Sequence, residues 1–532
     1  MNRPIRKVAA ALAVLFAAIF LNLNYVQVVK GSDHRNADGN KRVLLNEYAS
    51  PRGAIVVQGT NIAVSKQTDD ELKYLRKYPE GPIYAPVTGY YSYVYGRSGI
   101  EQAEDDVLSG DDPRLFGTQL SSLLTGRNPK GGSVELTLDK AAQRAAYNAM
   151  KDSSGKMRRG AVVALDPTTG AILAVVSTPS YDPSVLSSHN ANAIERAWKN
   201  LNDRRSQPML NRAFKQLYPP GSTFKVIVSA AALKAGYKPD TKVFAPVGYW
   251  PFQPKKTSAC PSNAASSCVQ NFEGESCAGG TQATLEFALA KSCNTAFAAL
   301  AVDKIGGSKV ADMAKAFGFA APYADTSNPP DFCDPPALEV PLSVCNSTVG
   351  STRDLDDRGS LSHTAFGQQD AKMTPLQAAM ISAAVANDGV LMKPYLVARE
   401  LSPNLSTLSK TQPAQLSQVL SPDLDAQLQQ MMESVVTAPE GTGGPAAITD
   451  IPGVTVGGKT GTADTGLYSK SAKTQPDAWF TGFALKNGDA KIAVAVILEN
   501  AGVSGDEVTG GLAAAPVAKA VMEAYLKSGG GH

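Results

Sequence analysis

Ser222 and Lys225 lie three residues apart in the stretch YPPGSTFKVIVSAAALKAG (218–236), where they could serve as a nucleophile and its base. Two prolines and a glycine break the chain before Ser222, and an apolar run follows, so a helix is predicted to begin there. Residues three apart on a helix share one face, and a lysine that is deprotonated or crowded by cations can activate a serine. The alternative is that Ser222 only caps the helix.

The stretch GVTVGGKTGTA (453–463) offers a second lysine in a chemically suggestive pattern. It fits G-x-x-x-x-G-K-[ST], the phosphate-binding loop, which must lie between a strand and a helix. The residues after it contain glycines, a proline and many Ser, Thr and Asp without a helical apolar period, so no helix is predicted. A run resembling the second nucleotide motif, VVALD (162–166), lies far upstream, in the reverse of the usual order. Nucleotide binding is therefore not expected, and Lys459 needs another partner.

Ser292-Cys293-Asn294 lies at a break between two helical stretches, ATLEFALAK and TAFAALAV, where side chains can point into a cleft. Taken alone, Ser292 could be an ordinary helix cap. The other S-x-N patterns (188–190 and 402–404) and a second S-x-x-K pattern, Ser153–Lys156, lie in polar segments and are interpreted as solvated loops. The order S-x-x-K, S-x-N, K-T-G is far more specific than any one of these patterns.

The chain has 532 residues, enough for roughly two to four domains, and 43% of them are hydrophobic. The net charge of +3 gives no indication of a nucleic-acid surface. Residues 8–29 form a largely apolar run behind Arg3, Arg6 and Lys7, which predicts an uncleaved transmembrane signal anchor with a cytoplasmic tail at 1–7. A cleaved signal peptide is the alternative. Residues 30–532 would then lie on the outer side of the membrane, where ATP is scarce.

All six cysteines fall within 86 residues, which favours local disulfides in an exported chain. Fifteen complete pairings are possible, and we take the sequential one as the candidate: Cys260 with Cys268, Cys277 with Cys293, and Cys333 with Cys345. A metal site is not predicted, because no C-x-x-C occurs and the four histidines are scattered. No cofactor is expected.

The remaining patterns predict an α+β order, in which hairpins and helices do not alternate as βαβ units. Hairpins are expected at 53–64 and 157–183, a strand followed by a helix at 133–150, helical stretches at 222–236, 281–303 and 374–388, strands at 479–485 and 491–498, and a last helix at 513–527. The polar run 151–156 marks a domain boundary. We predict an N-terminal domain at 30–155, a second domain at 156–527 and a flexible tail at 528–532.

These segments resemble class B penicillin-binding proteins over most of the chain beyond residue 50, and the short actinomycete members most of all. The segments that show it are SPRGAIV (50–56), NRAFKQLYPPGSTFK (211–225), TAFGQQDAKMTPLQAAMISAAVANDG (364–389), GKTGTA (458–463) and WFTGFA (479–484). The resemblance implies a transpeptidase domain of the serine β-lactamase type, with an antiparallel sheet flanked by helices and an all-α subdomain. It also implies a small N-terminal pedestal. A glycosyltransferase domain and C-terminal repeats are not expected.

The activity implied by this resemblance is peptidoglycan D,D-transpeptidation, inhibited by β-lactams. Ser222 would attack the D-Ala-D-Ala donor stem peptide, with Lys225 as its base, and a diamino-acid acceptor stem would resolve the acyl-enzyme. Ser292 and Lys459 would relay a proton to the leaving amine. The donor would be bound by Asn294, Thr460, Gly461 and Thr462, and the backbone N–H groups of Ser222 and Thr462 would form the oxyanion hole. Repulsion between the two lysine ammonium groups is expected to depress both pKa values.

Two alternative functions are also compatible with these motifs. One is a hydrolase, either a D,D-carboxypeptidase or a β-lactamase, although no E-x-x-N pattern can be placed for the deacylating glutamate of class A β-lactamases. The other is a non-enzymatic β-lactam sensor, although sensors usually carry further membrane spans. A membrane glycosyltransferase or another divisome component is the expected protein partner, and neither nucleic acid nor nucleotide is expected to bind.

Overall fold

The structure is a computed structural model that describes residues 3–25, 47–124, 130–253, 255–261, 268–324, 326–463, 476–501 and 510–529. Its strands are β1 Ile55–Val57, β2 Thr60–Gln67, β3 Tyr74–Lys77, β4 Tyr91–Ser92, β5 Gly96–Arg97, β6 Ser133–Leu136, β7 Gly160–Leu165, β8 Ile172–Thr178, β9 Lys242–Phe244, β10 Gly248–Tyr249, β11 Val269–Gln270, β12 Gln282–Thr284, β13 Leu338–Glu339, β14 Ser343–Val344, β15 Val390–Met392, β16 Val397–Leu401, β17 Thr407–Lys410, β18 Gln415–Gln418, β19 Val454–Ala463, β20 Asp477–Lys486 and β21 Asp489–Leu498.

The α-helices are α1 Arg3–Asn24, α2 Gly81–Thr88, α3 Ile100–Ala103, α4 Asp105–Ser109, α5 Phe116–Leu124, α6 Lys140–Ala149, α7 Ala191–Leu201, α8 Arg212–Lys215, α9 Lys225–Lys234, α10 Leu285–Ala290, α11 Asn294–Leu300, α12 Gly307–Ala316, α13 Thr352–Asp356, α14 Arg358–Thr364, α15 Pro375–Ala386, α16 Pro422–Thr437, α17 Gly510–Ala513 and α18 Ala515–Lys527. Short 3₁₀ turns occur at Pro113–Leu115, Pro183–Val185, Gly221–Phe224, Phe272–Gly274 and Gly444–Ala446, and a π turn at Ala301–Ile305.

A five-stranded antiparallel sheet, in the order β19-β20-β21-β7-β8, forms the centre of the second domain. Helices α6 and α18 cover one face of this sheet, and α15 packs against the other. All twelve residues of α15 are buried, as expected for a helix that is apolar on every side. The sheet therefore lies between two helical layers, and β19, which contains Lys459, forms one of its edges.

The N-terminal domain contains a six-stranded sheet in the order β17-β16-β6-β1-β2-β3. Its hairpin β1–β2 and its strand β6, followed by α6, match the predicted elements at 53–64 and 133–150. Two strands come from much later in the chain: β16 pairs antiparallel with β6, and β17 pairs with β16. Residues 397–410 thus complete a sheet whose other strands all precede residue 137.

The pedestal, by which we mean this N-terminal domain, has a buried ionic centre at Glu101. Its carboxylate accepts from Arg52 Nε at 2.6 Å, from Arg76 Nε at 2.7 Å and from the Tyr78 hydroxyl at 3.0 Å. Burial alone would raise the pKa of Glu101, but the charges of Arg76 and Arg52 hold it below its usual value. We call these four residues the pedestal cluster.

Most predicted elements of the second domain are present with small shifts in their bounds. The helical stretch 281–303 forms a short strand, two helices and a π turn, and the predicted break between its two helices is confirmed. The break falls at Ser292, whose φ of 63° lies in the left-handed region that non-glycine residues rarely adopt. This turn ends α10 and directs the side chains of Ser292 and Asn294 toward the same atom, Lys225 Nζ.

The N-terminal helix α1 has 22 residues and leaves large apolar side chains such as Phe16 exposed. Among the helices built from described residues, none combines the length and the apolar character that crossing a bilayer requires. Residues 26–29 of the predicted anchor and residues 530–532 of the predicted tail lie outside the described residues.

Candidate active site

Ser222 lies in the 3₁₀ turn Gly221–Phe224, directly before α9, and we call this turn the serine turn. The turn and the helix together place Ser222 Oγ 3.0 Å from Lys225 Nζ, as the three-residue spacing predicts. Gly221 has a φ of 54°, and a Cβ atom added there would lie 2.6 Å from the Thr462 carbonyl oxygen. A glycine is therefore required at 221 for the serine turn to lie against β19.

Lys225 is fully buried. It lies at the centre of a group of polar side chains that we call the polar cluster: Ser222, Lys225, Ser292, Asn294 and Lys459. Besides Ser222 Oγ, its ammonium has three oxygens within hydrogen-bond distance: Ser292 O at 2.6 Å, Ser292 Oγ at 3.1 Å and Asn294 Oδ1 at 2.7 Å. Burial lowers the pKa of Lys225 well below its usual value, and the nearby charge of Lys459 lowers it further. The neutral form, which can accept a proton from Ser222, is thereby favoured.

Ser292 lies in the turn between α10 and α11. This turn places its side chain between the two lysines. Its Oγ is 3.1 Å from Lys225 Nζ and 2.9 Å from Lys459 Nζ. Asn294, the first residue of α11, donates from Nδ2 to the Gln270 carbonyl at 3.1 Å. A continuous hydrogen-bonded path thus runs from Ser222 through Lys225 and Ser292 to Lys459.

Lys459 is fully buried on β19, where it is paired with Thr481 of β20. Its ammonium donates to Ser292 Oγ and to the Thr460 carbonyl, each at 2.9 Å. Burial lowers the pKa of Lys459 to about 7. The expected effect of repulsion on the pKa is present for Lys225, which the charge of Lys459 lowers, but is not resolved for Lys459. Burial is the larger cause for Lys225 and the one cause resolved for Lys459.

Thr460 and Thr462 alternate with Lys459 and Gly461 along β19. The Thr460 hydroxyl lies 2.6 Å from the hydroxyl of Thr442, which belongs to the loop after α16. Sequence reasoning missed Thr442, because its surroundings, EGTGGPA, look like any polar loop. A Cβ atom at Gly461 would lie 3.0 Å from Thr223 and Trp479, so β19 lies close against the serine turn. Residues 464–475, where no helix was predicted, lie outside the described residues.

Three disulfides connect Cys260 with Cys268, Cys277 with Cys293, and Cys333 with Cys345, the sequential pairing. Cys293 stands between Ser292 and Asn294, so the second disulfide ties the Ser292 turn to the segment before β12. In the described part of the chain, no group of three or more His, Cys, Asp or Glu side chains could hold a metal ion.

Removing the disulfide beside Ser292 is expected to affect both stability and acylation. Replacing Cys277 and Cys293 together with serine opens a loop with a sequence separation of 16. The free energy of unfolding should fall by about 3 kcal/mol, the entropic contribution of a loop of this length. Acylation by a penicillin should slow as well, because the disulfide no longer holds the strained turn at Ser292 in place. Thermal denaturation and stopped-flow acylation measure the two effects.

The matched control replaces Cys333 and Cys345, which close a loop with a separation of 12 that does not contain Ser292. We expect this control to lose a similar amount of stability and to keep the acylation rate of the parent. Equal slowing in both double variants would show that the disulfide does not act through Ser292.

The fold and the polar cluster together define a serine acyltransferase of the penicillin-binding class, and comparison with known families agrees. Residues 160–523 match the family model described as "Penicillin binding protein transpeptidase domain", and residues 52–134 match "Penicillin binding protein A dimerisation domain". The chain belongs to the penicillin-binding protein transpeptidase family. The resemblance to class B members inferred from the motifs is confirmed.

Individual relatives extend over the whole chain. It is 42% identical to "Peptidoglycan D,D-transpeptidase PbpA" of Mycolicibacterium smegmatis, over 99% of this chain and 100% of the relative. The protein of the same description from Mycobacterium tuberculosis is 39% identical, with 99% of both chains covered. The solved imipenem acyl-enzyme complex of penicillin-binding protein A from M. tuberculosis has a TM-score of 0.77 and 39% identity. That match covers 91% of this chain and 100% of the other.

Proposed function

We propose that this protein is a peptidoglycan D,D-transpeptidase that acts through an acyl-enzyme on Ser222. The observation that carries this proposal is the contact of Ser222 Oγ with the buried Lys225 Nζ at 3.0 Å, within a path that continues to Lys459. A lysine with a lowered pKa beside a serine can act as the base for nucleophilic attack. The relatives named as D,D-transpeptidases and the β-lactam acyl-enzyme complex support the same reaction.

In the proposed reaction, Ser222 Oγ attacks the carbonyl carbon of the penultimate D-Ala, and its proton passes to Lys225 Nζ. The tetrahedral intermediate then collapses, and the bond to the terminal D-Ala breaks. The leaving amine receives a proton through Ser292, which both lysines contact. An amine of the acceptor stem attacks the resulting ester, gives up a proton by the same path and releases Ser222. No cofactor enters any step.

The donor peptide would lie along β19, the edge strand of the central sheet. Asn294 would hold its backbone, while Thr460 and Thr462, with the charge of Lys459, would bind the terminal carboxylate. Gly461 lacks a side chain, which lets β19 lie against the turn that carries Ser222 and so brings the peptide close to the nucleophile. The backbone N–H groups of Ser222 and Thr462 would stabilise the oxyanion, and one such donor contributes roughly 3–4 kcal/mol to catalysis.

Mass spectrometry after treatment with penicillin G tests this proposal. We expect a single covalent adduct on the peptide that contains Ser222, and no adduct in the Ser222→Ala variant. Ser153→Ala, which alters the other S-x-x-K pattern in an exposed loop, should retain the adduct. An adduct on another residue would contradict the assignment of the nucleophile. Hydrolysis of the adduct within seconds would instead indicate the hydrolase.

The predicted domain division and membrane attachment belong to the same proposal. The family matches at 52–134 and 160–523 support a pedestal at 30–155 and a transpeptidase domain at 156–527. The apolar run 8–29, preceded by basic residues, supports a single anchor that leaves the catalytic domain outside the cytoplasm. A membrane glycosyltransferase of the division machinery would then be the partner that supplies glycan strands.

Extraction of membranes at alkaline pH tests the anchor. The full chain should remain in the membrane pellet, and a variant without residues 1–29 should be soluble. Release of the full chain into the supernatant would contradict the proposed anchor.

A further inference from the structure

Glu499, the residue directly after β21, connects the central sheet to the segment that leads into Ser222. We infer that Glu499 is a positioning residue: together with Arg159, Arg212 and Tyr218, it fixes the turn that presents Ser222 to Lys225. This inference rests on the proposed acyl-enzyme reaction and adds to it a residue outside the three motifs. We call these four residues the Glu499 cluster.

The carboxylate of Glu499 is shared by three donors from different parts of the chain. Its Oε1 accepts from the Tyr218 hydroxyl at 2.7 Å and from Arg212 Nε at 3.0 Å. Its Oε2 forms an ion pair with Arg159 Nε, and the Glu499 backbone N–H donates to the Arg159 carbonyl at 2.8 Å. Tyr218 is 4% exposed and Arg212 is completely buried, so water has little access to the bonds that these two donors make.

Tyr218 transmits this constraint to the nucleophile, which lies four residues further along the chain. Its backbone exchanges two hydrogen bonds with Met373, at 3.0 and 2.9 Å. Its ring packs edge-on against Trp479 at 5.9 Å between centroids, and Trp479 Nε1 donates to the Pro219 carbonyl at 3.0 Å. The segment that leads into Ser222 is therefore held at Tyr218 and Pro219 by Trp479 of the central sheet, by Glu499 directly after β21 and by Met373 just before α15.

The charge of Glu499 is needed because Arg212 has no exposure to water. Arg212 also donates to the carbonyls of Ser206 and Gln207, each at 3.0 Å, but those acceptors are neutral. A carboxylate accepts from all three donors at once. A glutamine at 499 would instead direct its own side-chain NH2 group, which is a donor, toward one of these three donors. Loss of the charge would leave a buried cation unpaired and would shift Tyr218. A displacement of about 1 Å in a reacting group can slow a reaction by about 100-fold.

The pedestal cluster provides a matched control within the same chain. There, Glu101 is held by two arginines and a tyrosine hydroxyl, which is the same set of partners. Its residues lie in the N-terminal domain, and the contacts described for them do not include the serine turn. Glu101→Gln and Tyr78→Phe therefore reproduce the chemical change of Glu499→Gln and Tyr218→Phe at a site without catalytic contacts.

The experiment measures acylation by penicillin G in these four variants of the full chain, with thermal denaturation of each. It resolves the acylation rate constant k2 from the dissociation constant of the initial complex. We expect Glu499→Gln and Tyr218→Phe to lower k2 by about 10- to 100-fold without weakening the initial complex. Glu101→Gln and Tyr78→Phe should lower thermal stability and leave k2 unchanged. The double variant of Glu499 and Tyr218 should acylate no more slowly than the slower single variant, because both changes act on the same contact between Glu499 and Tyr218.

An unchanged k2 in folded Glu499→Gln, or an equal loss of k2 in Glu101→Gln, would overturn the inference. If Glu499→Gln does not fold, Tyr218→Phe decides, since it removes only the hydroxyl; a parental k2 would again overturn the inference. Failure of the parent protein to form an adduct on Ser222 would contradict the proposed function itself, which keeps the two results distinguishable.

Discussion

Replacing Lys225 with methionine is expected to slow acylation of Ser222 by roughly 10²- to 10⁴-fold, the usual contribution of a general base. Lys225 Nζ is 3.0 Å from Ser222 Oγ, and burial lowers its pKa so that its neutral form is favoured. Methionine fills the space with an unbranched apolar side chain, so the buried helix α9 should remain packed. Stopped-flow acylation with penicillin G at pH 7 provides the measurement.

Lys234→Met is the matched control for this substitution, because Lys234 lies on the same helix but is exposed. It should acylate at the parental rate. Lys225→Met should also flatten the rising part of the pH–acylation profile, since the group that must lose a proton is gone. A folded Lys225→Met protein that acylates normally would show that another group accepts the proton of Ser222.

Replacing Lys459 with methionine is expected to lower acylation by about 10- to 100-fold, because a hydrogen bond to a charged group contributes about 1.5–3 kcal/mol. It should also move the rising limb of the pH–acylation profile toward higher pH. The charge of Lys459 lowers the pKa of Lys225, so without it Lys225 keeps its proton to a higher pH. Acylation measured across a pH series separates this shift from the loss of rate.

Lys491→Met serves as the control here, since Lys491 lies on β21 of the same sheet and is paired with Asp489 at the surface. Its profile should match that of the parent. If Lys459→Met keeps the parental profile, the two ammonium groups are not coupled and burial alone lowers the pKa of Lys225.

Local patterns predicted much of this molecule because the chemistry depends on short spacings. Ser222 and Lys225 are three residues apart on one helical turn, and Ser292 and Asn294 flank one break between helices. The family resemblance then implied that these motifs meet, and the hydrogen bonds between Lys225, Ser292 and Lys459 show that they do. The β20–β21 hairpin was predicted from two strand-like runs, 479–485 and 491–498, separated by a short segment that contains the hairpin turn signal Asn487-Gly488.

The features that sequence reasoning missed all depend on long-range packing. Glu499 follows an apolar strand and looks like any polar residue at a strand end, and its partner Tyr218 is 281 residues away in sequence. Thr442 has no pattern of its own and gains a role only because its loop reaches Thr460. The leading cause of the lysine pKa shifts was also missed, because burial of both side chains is set by the assembled core.

The strands β16 and β17 have a consequence for the order in which the chain folds. The pedestal strands β1 and β6 are synthesised early, but β16, the neighbour of β6, follows more than 250 residues later. Until it arrives, β6 presents an unpaired edge, which is a site for incorrect pairing between chains. Contacts of such large sequence separation form slowly, because a long loop must close before they become favourable. The pedestal therefore reaches its final form only after most of the catalytic domain has emerged.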